Sequence, residues 1–146
     1  MPGWGGTDAS SIMIKYICAS GNTSLSTKDI NAINALYPNP YPKNLSIDVS
    51  YSQFNIIWTA PPSNPSDAIT GYQLDYSYNL GAGGGGGVSG LSLPVGTSNY
   101  IIPGANSNPS GAPSGYVTAT IKAVYASGAI YAAPTVTRFR SGGVWN

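Results

Sequence analysis

The side chains of this 146-residue chain that could do chemistry are eleven tyrosines, three tryptophans, five aspartates, six lysines and arginines, and one cysteine. Histidine and glutamate are both absent. Without an imidazole there is no Ser-His-Asp triad, no Cys-His pair and no His-liganded zinc within the chain. An H-E-x-x-H site lacks both of its residue types. The expectation is therefore a chain that is not itself an enzyme and holds no cofactor. Cys18 has no second cysteine to pair with, and reads as a small buried apolar residue. The aromatics remain. Trp58, Tyr72, Leu74 and Ile121 fall on apolar alternations and read as core anchors. Tyr41, Tyr131 and Trp145 lie near turns and the chain end, and are the candidates for stacking on a sugar ring or a protein partner.

The charge balance narrows the partners. Charged residues are 8% of the chain and the net charge is +1. That gives no electrostatic basis for binding nucleic acid or an anionic membrane. No apolar run reaches the roughly 18 residues of a membrane span. A surface solvated by hydroxyls and amides instead of charges points to a secreted or surface-assembled protein, bacterial or virion. The opening Met1-Pro2-Gly3-Trp4-Gly5-Gly6 lacks the basic and apolar regions of a signal peptide, so the native start is expected to lie elsewhere.

The elements that must position these residues divide at Tyr37-Pro38-Asn39-Pro40-Tyr41-Pro42. Three prolines in six residues exclude helix and central strand, so 38–42 reads as a linker. Before it, Ser26 and Asp29 fit a capping box, and Ile30, Ile33 and Leu36 form an apolar stripe, so a helix is expected over about 26–37. After it the period changes to two. Leu45, Ile47 and Val49 alternate with polar residues, as do Phe54, Ile56 and Trp58. Tyr72, Leu74, Tyr76 and Tyr78 follow, then Val117, Ala119, Ile121 and Ala123. Shorter extended runs fall near 88–93, 98–102 and 134–140. Seven strands over about 100 residues predict a mainly β, antiparallel sandwich over 43–141, with 142–146 as a tail. Gly81–Gly87 reads as a flexible interstrand loop, and Arg138 and Arg140 as a solvated strand edge.

Ordered landmarks after the linker carry a family likeness. Pro42-Lys43-Asn44-Leu45-Ser46 opens the first strand, and Ile57-Trp58-Thr59-Ala60-Pro61 gives a tryptophan strand with a proline turn. Ile69-Thr70-Gly71-Tyr72-Gln73-Leu74 follows, and then Ile121-Lys122-Ala123-Val124 with Gly128 soon after. This segment resembles a fibronectin type III domain, which implies a seven-stranded, Ig-like sandwich with Trp58 between the sheets. The family's corner tyrosine would fall at Val117, whereas this chain has Tyr116 beside it.

The first 37 residues carry a second likeness. Gly6-Thr7-Asp8-Ala9-Ser10-Ser11-Ile12-Met13, then Ser26-Thr27-Lys28-Asp29-Ile30 running to Leu36-Tyr37-Pro38, resembles the C-terminal end of metzincin-type zinc metallopeptidases. The nearest family in this respect is the secreted bacterial dual-action HEIGH type. The resemblance implies that Ser11 and Met13 belong to a Met-turn beneath a zinc site. Zinc and its ligands would belong to a longer parent, because the zinc-binding helix precedes this segment in such enzymes.

Three functions follow as expectations. The first is a non-catalytic C-terminal region of a secreted metalloprotease-like protein, with residues 1–37 a remnant contacting an upstream catalytic domain and the sandwich a spacer or substrate-positioning module. The second is a standalone extracellular or virion interaction module. The third is a carbohydrate-binding sandwich that recognises a polysaccharide surface through Tyr41, Tyr131 and Trp145.

Overall fold

The chain divides between Pro38 and Asn39 into two units. A computed structural model describes residues 40–63 and 65–146. The Met-turn-like Ser11 and Met13, Cys18 and the expected helix over 26–37 lie outside the described residues.

Alternation sets the strands. In β1 (Lys43–Ser50) and β2 (Gln53–Thr59) the inward positions are Ile47, Phe54, Ile56 and Trp58, all buried. Their two-residue connection, Tyr51-Ser52, has both residues at positive φ (50° and 60°), as a hairpin turn matched to strand twist requires. β5 (Asn99–Ile101) pairs with β2 to complete a three-stranded sheet in the order β1-β2-β5.

The opposing sheet has six strands. β3 (Ile69–Asn79) pairs on one side with β4 (Gly85–Pro94) and on the other with β6 (Gly115–Tyr125). β8 (Val136–Ser141) and β9 (Val144–Trp145) continue the order β4-β3-β6-β8-β9, and β7 (Ile130–Ala132) pairs with the far end of β6. All the pairings are antiparallel. On β6 the inward residues Val117, Ala119, Ile121, Ala123 and Tyr125 are buried while Thr118, Thr120 and Lys122 face out. The core lies between the sheets, with Trp58 packed edge-on to Tyr72 at 5.7 Å between ring centroids. Each such large side chain removed from water contributes about 1.5–3 kcal/mol.

The architecture is the expected mainly β, two-sheet antiparallel sandwich, with three corrections. Nine strands, not seven, occur among the described residues. β7 and β9 are three and two residues long, too short for alternation to register. The tail at 142–146 is not free: Asn146 exchanges both backbone hydrogen bonds with Phe139, closing a β8–β9 hairpin. The glycine-rich segment is only partly a loop, because β4 begins at Gly85 after a single 3-10 turn at Gly81–Gly83. A Cβ at Gly87 would stand 2.7 Å from the Tyr76 carbonyl oxygen, and one at Gly85 2.9 Å from that of Tyr78. Glycine is what permits β4 to approach β3 so closely.

The second half of the proline linker also belongs to the sandwich. Pro42 is fully buried and the Tyr125 hydroxyl donates to the Pro40 carbonyl at 2.6 Å.

Candidate functional site

β6 defines two ends of the sandwich, its eleven residues spanning roughly 33 Å at ordinary strand rise. At the Tyr125 end the chain enters beside Pro40, and the Trp58 indole N–H is buried there without a partner. The Asp67 carboxylate accepts the Ser127 amide at 3.0 Å and the Ser127 hydroxyl at 2.6 Å. Burial pushes the Tyr125 phenol up from its ordinary value, with the nearby Asp67 charge adding to this.

At the Gly115 end the arrangement differs. The Tyr51-Ser52 tip of the β1–β2 hairpin projects there, with Tyr51 95% exposed. A bulky residue at positive φ is strained, since this region favours glycine or asparagine. Between this tip and the β8–β9 hairpin runs a groove of about 570 Å³, lined among others by Val49, Tyr51, Ser107, Arg138, Val144 and Trp145. Ser107 is held by its amide bonding to the Ser52 carbonyl, so the loop and the hairpin tip form one wall.

Arg138 lines the groove, and Arg140 is bonded to its Ser107–Asn108 wall. Arg138 Nη1 donates to the Ile47 carbonyl and its Nε to the Asn146 carbonyl, both at 2.9 Å. Arg140 is 7% exposed; its Nη1 donates to the Ser107 carbonyl at 2.6 Å and its Nη2 to Asn108 Oδ1 at 2.8 Å. Its Nε is buried without a partner. The expectation of a solvated strand edge is thus corrected. Both arginines occupy the inward face of β8, where the sandwich opens and carbonyls are available, while Thr137 and Phe139 take the outward positions. Among the described residues the one side-chain ion pair is Lys122 with Asp75.

The outer face of the larger sheet is a second polar surface. Asp75, Thr118, Thr120 and Thr135 line a shallow depression of about 450 Å³. Its threonine hydroxyls are engaged, Thr120 with Thr135 at 2.6 Å, and Thr118 donating to the Val136 carbonyl at 3.2 Å while accepting from Thr137 at 2.9 Å. The Lys122 ammonium, by hydrogen bond, holds the Asp75 carboxyl below its usual value; the Gly90 amide and Ser89 hydroxyl act in the same direction, and burial opposes them.

The residues singled out in the sequence separate cleanly. Trp58, Tyr72, Leu74 and Ile121 all lie in the core. Trp145 is not an exposed ring: it is half-buried, edge-on to Phe54 at 5.1 Å, and its indole N–H donates to the Ser107 carbonyl at 2.8 Å. The inward phase of β9 puts it there. Tyr131 is exposed but packs edge-on against Tyr125 at the opposite end, and Tyr41 is half-buried beside the docked prolines. The three candidate surface aromatics therefore form no common platform. Sequence reasoning missed Tyr51, Arg138 and Arg140. The spacing from Val49 to Phe54 carried the signal for Tyr51, because it leaves room only for a short hairpin with a tyrosine at its tip.

Among the described residues no group of three His, Cys, Asp or Glu side chains could hold a metal ion, and no helix is long and apolar enough to cross a membrane. No family model matches the chain, and no curated protein matches it. Among solved structures it is similar to the sixth fibronectin type III domain of human fibronectin type III domain containing protein 3. That likeness has 16% identity and a TM-score of 0.49, and covers 70% of this chain and 86% of that domain. It is also similar to the third fibronectin III domain of human KIAA0343 protein, with 14% identity and a TM-score of 0.47, covering 86% and 95% respectively. The two-sheet sandwich itself stands on the strand order and register described above.

Proposed function

We propose that the sandwich is a fibronectin type III-like spacer that positions a partner, and that it forms the non-catalytic C-terminal region of a secreted metalloprotease-like protein. The observation that carries the spacer reading is the placement of the two chain ends. The chain joins the sandwich beside Tyr125 and its last strand closes at the Gly115 end of the same strand. A rigid unit of this kind separates its own two ends by a fixed distance, and tethering through it raises the effective concentration of a partner. The metallopeptidase context rests on the resemblance of residues 6–38.

The spacer is tested by placing spin labels at Lys43→Cys and Ser141→Cys in a Cys18→Ser background. One narrow distance centred at roughly 30 Å is expected from the strand rise; a broad distribution contradicts a rigid spacer. The parent is tested by reading the coding sequence upstream of Met1. An H-E-x-x-H motif in the same frame supports it, and an independent ribosome-binding site with a native start there contradicts it.

The exposed side chains at the Gly115 end favour a second reading, a surface interaction module. Tyr51, Val144 (63% exposed) and Phe139 (60%) are large apolar groups left in water near one end of the molecule.

A further inference from the structure

β4 ends the larger sheet, so among the described residues no strand lies along its outer edge. An open edge is a row of unpaired amides and carbonyls that another chain can pair with, and natural sheets blunt theirs with charge, proline or brevity. The other edge strands follow that rule. β1 carries Lys43 and Asp48, and β5, β7 and β9 are three, three and two residues long. β4 does not. Its ten residues hold no charge, its one proline is the last of them, and Gly85 to Gly90 are all exposed. Gly85, Gly86 and Gly87 follow one another, so no side chain shields the backbone there.

One device interrupts this edge. Leu74 pairs with Leu91 and Tyr76 with Val88, which leaves Asp75 facing two residues, Ser89 and Gly90. That bulge sets Gly90 at φ 69°, a region that glycine adopts without steric cost. A bulge leaves its extra residue outside the ladder, with an amide in want of an acceptor. The Asp75 carboxylate supplies one. The Gly90 N–H donates to its Oδ1 at 2.6 Å, and the Ser89 hydroxyl donates to the same oxygen at 3.1 Å. The other oxygen, Oδ2, pairs with the Lys122 ammonium on β6. Lys122, Asp75 and the Ser89–Gly90 bulge thus form one polar tie across three neighbouring strands.

We propose that Asp75 guards this edge. Its carboxylate holds the bulge in place, so that β4 meets solvent as two short pieces. Without the carboxylate, β4 loses its bulge and pairs antiparallel with β4 of a second copy of the chain. Such a pairing is self-complementary about a two-fold axis. An uncharged strand also meets its own copy without like-charge repulsion. Neither the spacer nor the metallopeptidase reading enters the proposal.

The test is sedimentation velocity on the full chain with reductant present, since Cys18 can join two chains through a disulfide. Over a roughly hundredfold range of concentration, Asp75→Ala, which removes the acceptor, should dimerise by mass action far more strongly than the parent. Asp75→Asn also loses the Lys122 ion pair but keeps an acceptor oxygen for the Gly90 amide, and should behave as the parent does. In the double variant Asp75→Ala/Ser89→Lys, a charge placed on the edge should restore the parent's behaviour. Amide exchange by NMR reads the bulge itself. The Gly90 N–H should be protected in the parent and exchange roughly tenfold or more faster in dilute Asp75→Ala. Asp75→Ala associating no more than the parent overturns the proposal, as does Asp75→Asn dimerising like Asp75→Ala, or a double variant that still associates. So does a Gly90 amide that is unprotected in the parent, a result that stands even where Asp75→Ala does not fold.

Discussion

The two ends of β6 are built from the same strand and differ in what they leave strained. At the Tyr125 end, the hydroxyl of Tyr125 and both oxygens of Asp67 are engaged, and the incoming prolines are docked. At the Gly115 end, Tyr51 is strained, and Val144 and Phe139 stand in water. Each end keeps one buried donor without a partner, Trp58 Nε1 at the first and Arg140 Nε at the second, and each exposes apolar side chains, Ile130 and Tyr131 at the first. The difference is the almost wholly exposed, positive-φ Tyr51, and that is where binding has a reason to be sought.

Variants along β6 can sharpen or break that contrast. Ile121 lies at its middle, fully buried, so Ile121→Ala should cost about 2–5 kcal/mol in equilibrium denaturation and destabilise both ends together. A much smaller loss would mean the ends do not share one core. Tyr125→Phe removes only the bond to the Pro40 carbonyl. It should cost about 1 kcal/mol and speed amide exchange near 125–129 while sparing 105–108. Tyr51→Asn should act in the other direction, raising stability by about 0.5 kcal/mol through relief of positive-φ strain. If it destabilised instead, Tyr51 would be packed and not strained.

The smallest effect concerns pH and serves as a control on the outer face. The folded Asp75 carboxyl titrates below its unfolded value of about 3.9 because Lys122 and the Gly90–Ser89 donors favour its charged form. Its contribution is therefore present above about pH 4 and is lost as pH falls through the folded value. Asp75→Asn should flatten the fall in stability between about pH 5 and pH 2, measured by denaturation at each pH. It should leave Tyr51 and Arg138 resonances in place.

Much of the sandwich was legible because a half-buried sheet writes its faces into the chain at period two. Phe54-Ile56-Trp58 and Val117-Ala119-Ile121-Ala123 point inward as their spacing implied. The groove was not legible, for three physical reasons. Arg138 and Arg140 alternate with Phe139, and hydropathy assigns the phenylalanine inward. In the fold the arginines face in because open-ended sheet edges offer carbonyls, which no periodicity records. Trp145 reads as a tail residue until β9 pairs with β8, a contact of two residues. Gly85–Gly87 reads as loop because glycine has little intrinsic strand preference, yet close approach to β3 demands it.

The most direct test of the account measures the distance between spin labels at Lys43→Cys and Ser141→Cys in a Cys18→Ser background. One narrow distance centred at roughly 30 Å is the predicted result. A broad distribution would contradict a rigid sandwich that holds its two ends apart.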